Sequence, residues 1–302
     1  MKVCCIGYIT KDTIVMPENR VEIPGGTAWY FAKAIKQLST DNFQLITSVE
    51  EDQMPRIEEL RQDGIEVISL PTRQSVCFEN IYSNSTDNRR QRVTALPDPF
   101  NSDILLAVSA DIVHLGSLLH DDFSLNLIEQ LAAKHQLSLD AQGFLRKVLE
   151  NGDVVHVDWV EKREVLPYIH TLKANEEEML VLTGISEPHE AALILTDWGV
   201  KEVVLTFGEK GSLIYSKGQF HEIPAYPTMM VVDETGCGDT YMAGYLYLRN
   251  LGASEEEAGK FAAAMCTIKL QGHGPFCGTE KVVRKIMSSY QQTNLPLQIS
   301  LS

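Results

Sequence analysis

Asp233-Glu234-Thr235-Gly236-Cys237-Gly238-Asp239-Thr240, followed by an apolar run at residues 241–251, is the most informative stretch of this 302-residue chain. Two glycines at alternate positions just before a helical pattern let the backbone approach a ligand closely. The first-turn N–H groups of such a helix lack partners within it and carry the positive end of its dipole. A turn of this kind is an anion site. Asp239 there needs a reason, because its charge repels a bound anion; helix N-capping is one, since Asp is among the best caps. Familiar nucleotide motifs do not fit. No G-x-x-x-x-G-K-[ST] occurs, Tyr241 stands where a dinucleotide fingerprint needs glycine, and the turn lies late in the chain. These points argue against a Rossmann dehydrogenase.

Outward from that turn, strand-like and helical patterns alternate. Residues 3–6, 43–48, 65–70, 110–115, 137–139, 154–157, 172–174, 203–206 and 212–215 read as strands. Ala28, Phe31, Ala32, Ile35 and Leu38 recur at helical spacing after Pro24-Gly25-Gly26, and residues 54–63 form another helix, closed by Gly64. The alternation predicts a parallel sheet covered on both faces. Residues 10–23, 75–82 and 89–96 break the rhythm, with Asn84, Ser85, Asp87 and Asn88 as a hairpin turn. They read as a small β-layer beside the main sheet, or as surface hairpins.

Forty-one acidic against 26 basic side chains leave a formal charge of −15. Such a chain is unsuited to nucleic acid or anionic membranes, whose phosphates need basic patches. An anionic ligand must be held by dipoles, a metal or a few placed cations. No C-x-x-C pair occurs among the six cysteines, and Cys4 and Cys5 point to opposite faces of a strand. Free thiols in a reducing compartment are expected. With no signal-like N-terminus and no long apolar run, the expected location is cytoplasmic.

The residues resemble the ribokinase-like (PfkB-type) carbohydrate kinases. Asp233-x-Thr235-Gly236-x-Gly238-Asp239 is similar to that family's C-terminal signature, and Gly25-Gly26 before an apolar helix to its di-glycine element. Gly7-x-x-x-x-Asp12, Asn175-x-x-Glu178 and Thr206-x-Gly208-Glu209-Lys210-Gly211 follow in the family's order. The resemblance implies one three-layer α/β/α domain over residues 1–302, with a mainly parallel sheet and a β lid from segments about 10–24 and 75–96. It implies transfer of the γ-phosphate of ATP to an alcohol group of a sugar or polyol with Mg²⁺ as cofactor, a monovalent cation being left open. A nucleoside or inositol kinase is the alternative, and a non-catalytic small-molecule sensor the rival class. Residues 139–146 resemble a branch with inositol-kinase-like members, while Trp29-Tyr30 stand near where the family often has a sugar-binding Asn.

Residue by residue, the resemblance makes Asp239 the general base and the amides of Gly236, Cys237 and Gly238 the anion hole. Asp12, Gly25, Gly26 and Arg146 are the expected substrate contacts. Asn175, Thr206, Gly208, Gly211 and Gly272 fall to the nucleotide side, and Glu178 to Mg²⁺. Plainer roles stay open: a helix cap for Asn175, a solvated helix position for Glu178 and Arg146, a surface loop for Asp12. Arg89, Arg90 and Arg92 are solvated or recognise a sugar phosphate. A homodimer is expected, in which Val76, Phe78, Ile81 and Val93 of the lid meet a second subunit.

Overall fold

The computed structural model describes residues 1–16, 19–82, 89–228 and 230–293. Its centre is a nine-stranded sheet in the order Gln219–Ile223, Ser212–Ser216, Glu202–Thr206, Ile169–Asn175, Gln136–Asp140, Ile112–Gly116, Val3–Gly7, Phe43–Ser48, Glu66–Leu70. From Glu202–Thr206 onward all neighbours are parallel, and the first two strands add on antiparallel. Side chains alternate across the pleat, so Cys4 and Cys5 do fall into different cores. Cys4 packs in the layer of Leu125–Ala132, Glu176–Thr183 and Pro188–Asp197, and Cys5 in that of Gly26–Lys36, Cys237–Asn250 and Glu255–Lys269. The result is the three-layer, mainly parallel α/β architecture.

Two departures from the sequence reading have local causes. Residues 154–157 do not join the central sheet. Val154–His156 folds back on Arg146–Val148 as an antiparallel hairpin, closed by Gly152 at φ +85° donating its N–H to the Leu149 carbonyl. The unanticipated strand Gln219–Ile223 follows a tight turn in which Lys217 and Gly218 both have positive φ, a geometry that suits hairpins.

A second sheet orders Asn19–Gly25, Thr10–Met16, Cys77–Tyr82 and Arg89–Ala95; the turn expected at Asn84–Asn88 lies outside the described residues. Its body-facing row sets Asp12 beside Phe78 and Phe78 beside Val93. Val76, Phe78 and Val93 are buried within this chain's own core. They therefore do not supply the exposed apolar face expected for a second subunit; among the described side chains of these strands, Met16 and Val21 are exposed and apolar. The Val93 N–H donates to Gly152 O at 2.8 Å, and Arg92 Nη2 to Asn151 O at 2.8 Å, tying this sheet to the Arg146–Val148 hairpin.

In the central sheet, neighbouring strands end in register at Gly7 and Gly116. A Cβ on Gly116 would sit 2.2 Å from Thr27 Cγ2, so the bare backbone makes the seat for Thr27. Replacing Gly116 by Ala is expected to lower unfolding free energy by about 1–3 kcal/mol through overpacking. Thr27→Ser in the same chain removes the methyl of the 2.2 Å clash but keeps Cβ at 2.8 Å, and is expected to recover part of that loss. Denaturant midpoints of the four proteins measure both effects.

Candidate active site

The carboxyl ends of the parallel strands bring together groups far apart in sequence, as open α/β sheets do. Lys173 and Asp140 are register partners on adjacent strands, and Lys173 Nζ lies 3.0 Å from Asp140 Oδ2 and 3.6 Å from Glu178 Oε2. All three are buried. Burial alone would depress the lysine, but Asp140 and Glu178 outweigh it and hold the ammonium charged. A Cβ on Gly238 would come within 3.1 Å of Lys173 Nζ, so the glycine turn rests directly on this cation.

The helix Cys237–Asn250 begins inside the turn, with Gly236 as its N-cap at φ +78°. Asp239 is thus the third residue of the helix and not its cap. It keeps some surface toward the cleft, yet desolvation pushes its carboxyl up to about 6, and the charge of Asp140 adds to the rise. Lys173, a hydrogen bond from the Thr27 side chain and the charge of Arg146 restrain it. A base of that pKa is ionised at neutral pH and well placed to accept a proton.

The amide of Cys237 is not available as expected, because it closes the turn onto Glu234 O at 3.1 Å. The Gly236, Gly238 and Asp239 N–H groups find no acceptor among the described residues, so these are the amides of the turn left to receive one. Cys237 O accepts from Cys266 Sγ at 3.3 Å. Behind the turn, Lys269 Nζ is fully buried and donates to Asp233 O at 2.8 Å, while the Asp233 carboxylate takes the Thr235 N–H at 2.9 Å. Tyr30, a core residue, packs its ring under Gly236, where a Cβ would be 2.2 Å away.

Asn175 and Glu178 form a reciprocal capping box: each side chain accepts the other's backbone N–H at 2.8 Å. Glu178 is therefore a buried, ion-paired group and not a solvated helix position. Burial raises its pKa and Lys173 pulls it back, with the net shift upward. Among the described residues no three His, Cys, Asp or Glu side chains converge on a metal point. One carboxylate beside a lysine fits a hydrated Mg²⁺ carried on phosphate oxygens, and does not fit a protein cage.

Asp12 is buried, accepts from Thr10 Oγ1 at 2.5 Å, and lies where a Cβ on Gly25 would be 2.5 Å from its Oδ2. Gly26, at φ +83°, starts the helix that carries Thr27 to Asp239. Arg146 opens a strand and not a helix, and its charge acts on both Asp239 and Glu178. The structure thus draws Asp12, Gly25, Gly26, Arg146, Asn175, Glu178, Gly236, Gly238 and Asp239 to one edge. Thr206 pairs with Asn175, and the Gly208–Gly211 turn is linked to the same helix start by Lys210–Glu176 at 3.0 Å. Gly272 lies further out, in the loop that Asp233 touches through Gly274 N. Sequence reasoning missed Thr27, Asp140 and Lys173; a lysine inside the apolar strand Leu172-Lys173-Ala174 was the available signal.

A buried carboxylate of raised pKa, helix-end amides without acceptors and a buried cation are groups that suit transfer of a phosphoryl group to an alcohol. The model of the pfkB family of carbohydrate kinases matches residues 1–280, and the chain belongs to that family. It is 27% identical over 264 residues to a cytidine kinase of Thermococcus kodakarensis, covering 83% of this chain and 90% of that one. A pyrophosphate-dependent kinase in the ribokinase family superposes with a TM-score of 0.81 at 29% identity, over 93% of this chain and 99% of that one. A pyrophosphate-dependent myo-inositol-1 kinase, converted into a myo-inositol-3 kinase by two substitutions, gives a TM-score of 0.82 at 28% identity, over 96% and 99%. No helix among the described residues is long and apolar enough to cross a membrane.

The rate–pH profile follows from Asp239. If Asp239 is the base, it is protonated and idle below its pKa, so kcat/KM is expected to rise with pH through an acid limb near 6. Asp140→Asn removes a like charge and is expected to move that limb to lower pH. Thr27→Val removes a donor to the carboxylate and moves it to higher pH. Initial rates from pH 5 to 9 at saturating donor locate the limb in each protein.

Proposed function

We propose that this chain phosphorylates a hydroxyl of a free sugar or cyclitol, with ATP as donor and Asp239 as general base. The supporting observation is the Asp239 carboxyl itself, pushed up to about 6 beside a glycine turn whose free amides lie over Lys173. In this reading Asp239 takes the proton of the acceptor hydroxyl as its oxygen attacks the terminal phosphorus, a contribution of roughly 10²–10⁴ in rate. The Gly236, Gly238 and Asp239 amides face the oxygens of the phosphoryl group in transit. Lys173, already paired, positions the turn and keeps Asp239 ionised. Asp12 and the Gly25–Gly26 backbone seat the acceptor, and Arg146 faces the transferred phosphate. Thr206, Gly208, Gly211 and Gly272 border the donor. Asn175 and Glu178 would hold a hydrated Mg²⁺ that arrives with the donor, and the ion would supply neutralisation of the phosphate charge.

A cyclitol acceptor is favoured by the myo-inositol kinase at 28% identity over nearly the whole chain, and a nucleoside by the cytidine kinase at 27%. Pyrophosphate is the second reading for the donor, because two of the structures at 28–29% identity depend on it. The intact Asp239 and glycine turn weigh against a sensor without turnover. A reducing cytoplasm suits six free cysteines, and a homodimer would use the exposed Met16 and Val21.

A product-release screen that crosses ATP and pyrophosphate with sugars, cyclitols, nucleosides and sugar phosphates tests the reading. Turnover of a free sugar or cyclitol with ATP is expected; binding without turnover on any pair overturns it in favour of the sensor. Asp239→Asn keeps the size of the side chain and removes its charge and basicity. Its kcat is expected to fall by roughly 10²–10⁴. The carboxyl's pKa is raised on folding, so its ionisation costs stability as pH rises towards and past about 6. The melting temperature of the variant should therefore match or exceed wild type above pH 6. Wild-type kcat in Asp239→Asn removes the assignment of the base.

A further inference from the structure

Cys237 stands in the middle of the glycine turn, and the reading above makes no use of its side chain. Its carbonyl accepts from Cys266 Sγ at 3.3 Å, across the packed helices Cys237–Asn250 and Glu255–Lys269. The two thiols also meet each other. A hydrogen bond with the Cys237 side chain, ahead of burial, raises the Cys266 thiol well above its ordinary range. Both residues are half-buried, so each keeps some surface open to a small molecule. The other four cysteines are arranged differently. Cys4 and Cys5 are fully buried in opposite cores. Cys77 turns its Sγ to Ser75 O at 3.5 Å on the second sheet, and Cys277 is exposed ahead of the helix Glu280–Thr293.

We propose that Cys237 and Cys266 form a reversible disulfide, a modification site within the glycine turn, with hydrogen peroxide as the oxidant. The site itself is independent of the kinase reading; only its effect on turnover rests on that reading. In the first step the Cys237 sulfur attacks one peroxide oxygen and the O–O bond breaks. The sulfur becomes a sulfenic acid, and the other oxygen leaves as water with the thiol proton. The Cys266 sulfur then attacks the sulfenic sulfur and the S–O bond breaks. The hydroxyl takes the Cys266 proton and leaves as a second water. Two thiols have given up two electrons and two protons, and one peroxide has become two waters. Cys237 reacts first because the thiolate is the nucleophile, and Cys266 is held protonated by its bond to Cys237 and by burial. A dithiol reductant reverses the bridge by exchange. In a reducing compartment the pair rests as thiols, and disulfides that form there are typically transient and redox-sensing. The bridge draws the Cys237 side chain onto the neighbouring helix and takes Cys266 Sγ away from Cys237 O. Gly236, at φ +78°, and Gly238 flank Cys237 and give the backbone the freedom to follow. The N–H groups of those two glycines, which have no acceptor among the described residues, move with it.

The test treats the reduced full-length chain with hydrogen peroxide, blocks remaining thiols with N-ethylmaleimide and maps peptides without reduction. A peptide pair joined through Cys237 and Cys266, lighter by two hydrogens and separated by dithiothreitol, is expected. The kcat of the linked protein is expected to fall roughly 100-fold, the scale of losing one anion-hole donor, and to return with dithiothreitol. Cys266→Ala is expected to keep the reduced wild-type kcat and to yield no linked pair. Absence of the linked pair from oxidised wild type overturns the proposal, as does a linked protein with unchanged kcat. A dithiothreitol-reversible loss of the same size in Cys266→Ala also overturns it. A wild type without turnover on any substrate defeats the kinase reading instead, and the peptide map then decides the disulfide alone: the joined pair supports it and its absence overturns it.

Discussion

The site depends on an ammonium group held where water is scarce. Moving a charge such as Lys173 into the protein is costly unless partners stand close by. Asp140, at the end of the neighbouring strand, and Glu178, in the first turn of the following helix, are those partners. The same Glu178 closes the capping box with Asn175, so the ion pair also fixes where that helix starts. Above the lysine, a Cβ at Gly238 would stand 3.1 Å from Nζ, so any side chain there would push on the ion pair. Strand end, helix start and glycine turn are therefore located by one charge, and breaking it by removing either carboxylate would leave a buried ion short of compensation.

The Asp239 carboxylate is placed by the opposite kind of device, one made of missing atoms. Gly7 and Gly116 leave a notch in the sheet edge that Thr27 fills, and Thr27 then supports Asp239 from the other side. Lys173 and Thr27 approach the carboxylate from separate elements, so its pKa reflects packing across three segments and not the turn alone. Asp140 supplies the counterweight. Burial raises the Asp239 carboxyl into the range useful for proton transfer, and Asp140, which also secures the lysine, adds to the rise by repulsion.

Much of this could be read before the fold was seen. The parallel α/β arrangement followed from alternating strands and helices, and the glycine turn declared itself by its spacing before an apolar helix. Asn175 and Glu178 were legible because a capping box is local, three residues apart. Lys173 and Asp140 were not, because 33 residues separate them and only strand register makes them neighbours. Thr27 was hidden for the same reason: its partner lies more than two hundred positions away. The Cys237 amide was assigned to the anion hole because every first-turn amide looks alike in sequence; which one closes the turn is a matter of backbone geometry. The hairpin at residues 154–157 failed differently, since a three-residue apolar strand carries too little pattern to say which sheet it joins.

The tie between the second sheet and the Arg146 hairpin carries a mechanical implication. Val93 and Arg92 bond to Gly152 and Asn151, at the tip of the hairpin whose first residue is Arg146. If the sheet that carries Asp12 swings outward, it either breaks these bonds or drags the hairpin along. In the second case Asp12, the proposed seat of the acceptor, and Arg146, whose charge acts on Asp239, travel as one rigid lever. The approach of a cation to the reaction zone would then be timed by closure over the acceptor, so that the electrostatic setting for transfer is assembled only around a filled seat. A donor arriving alone would meet an incomplete charge arrangement, and water would gain little from entering.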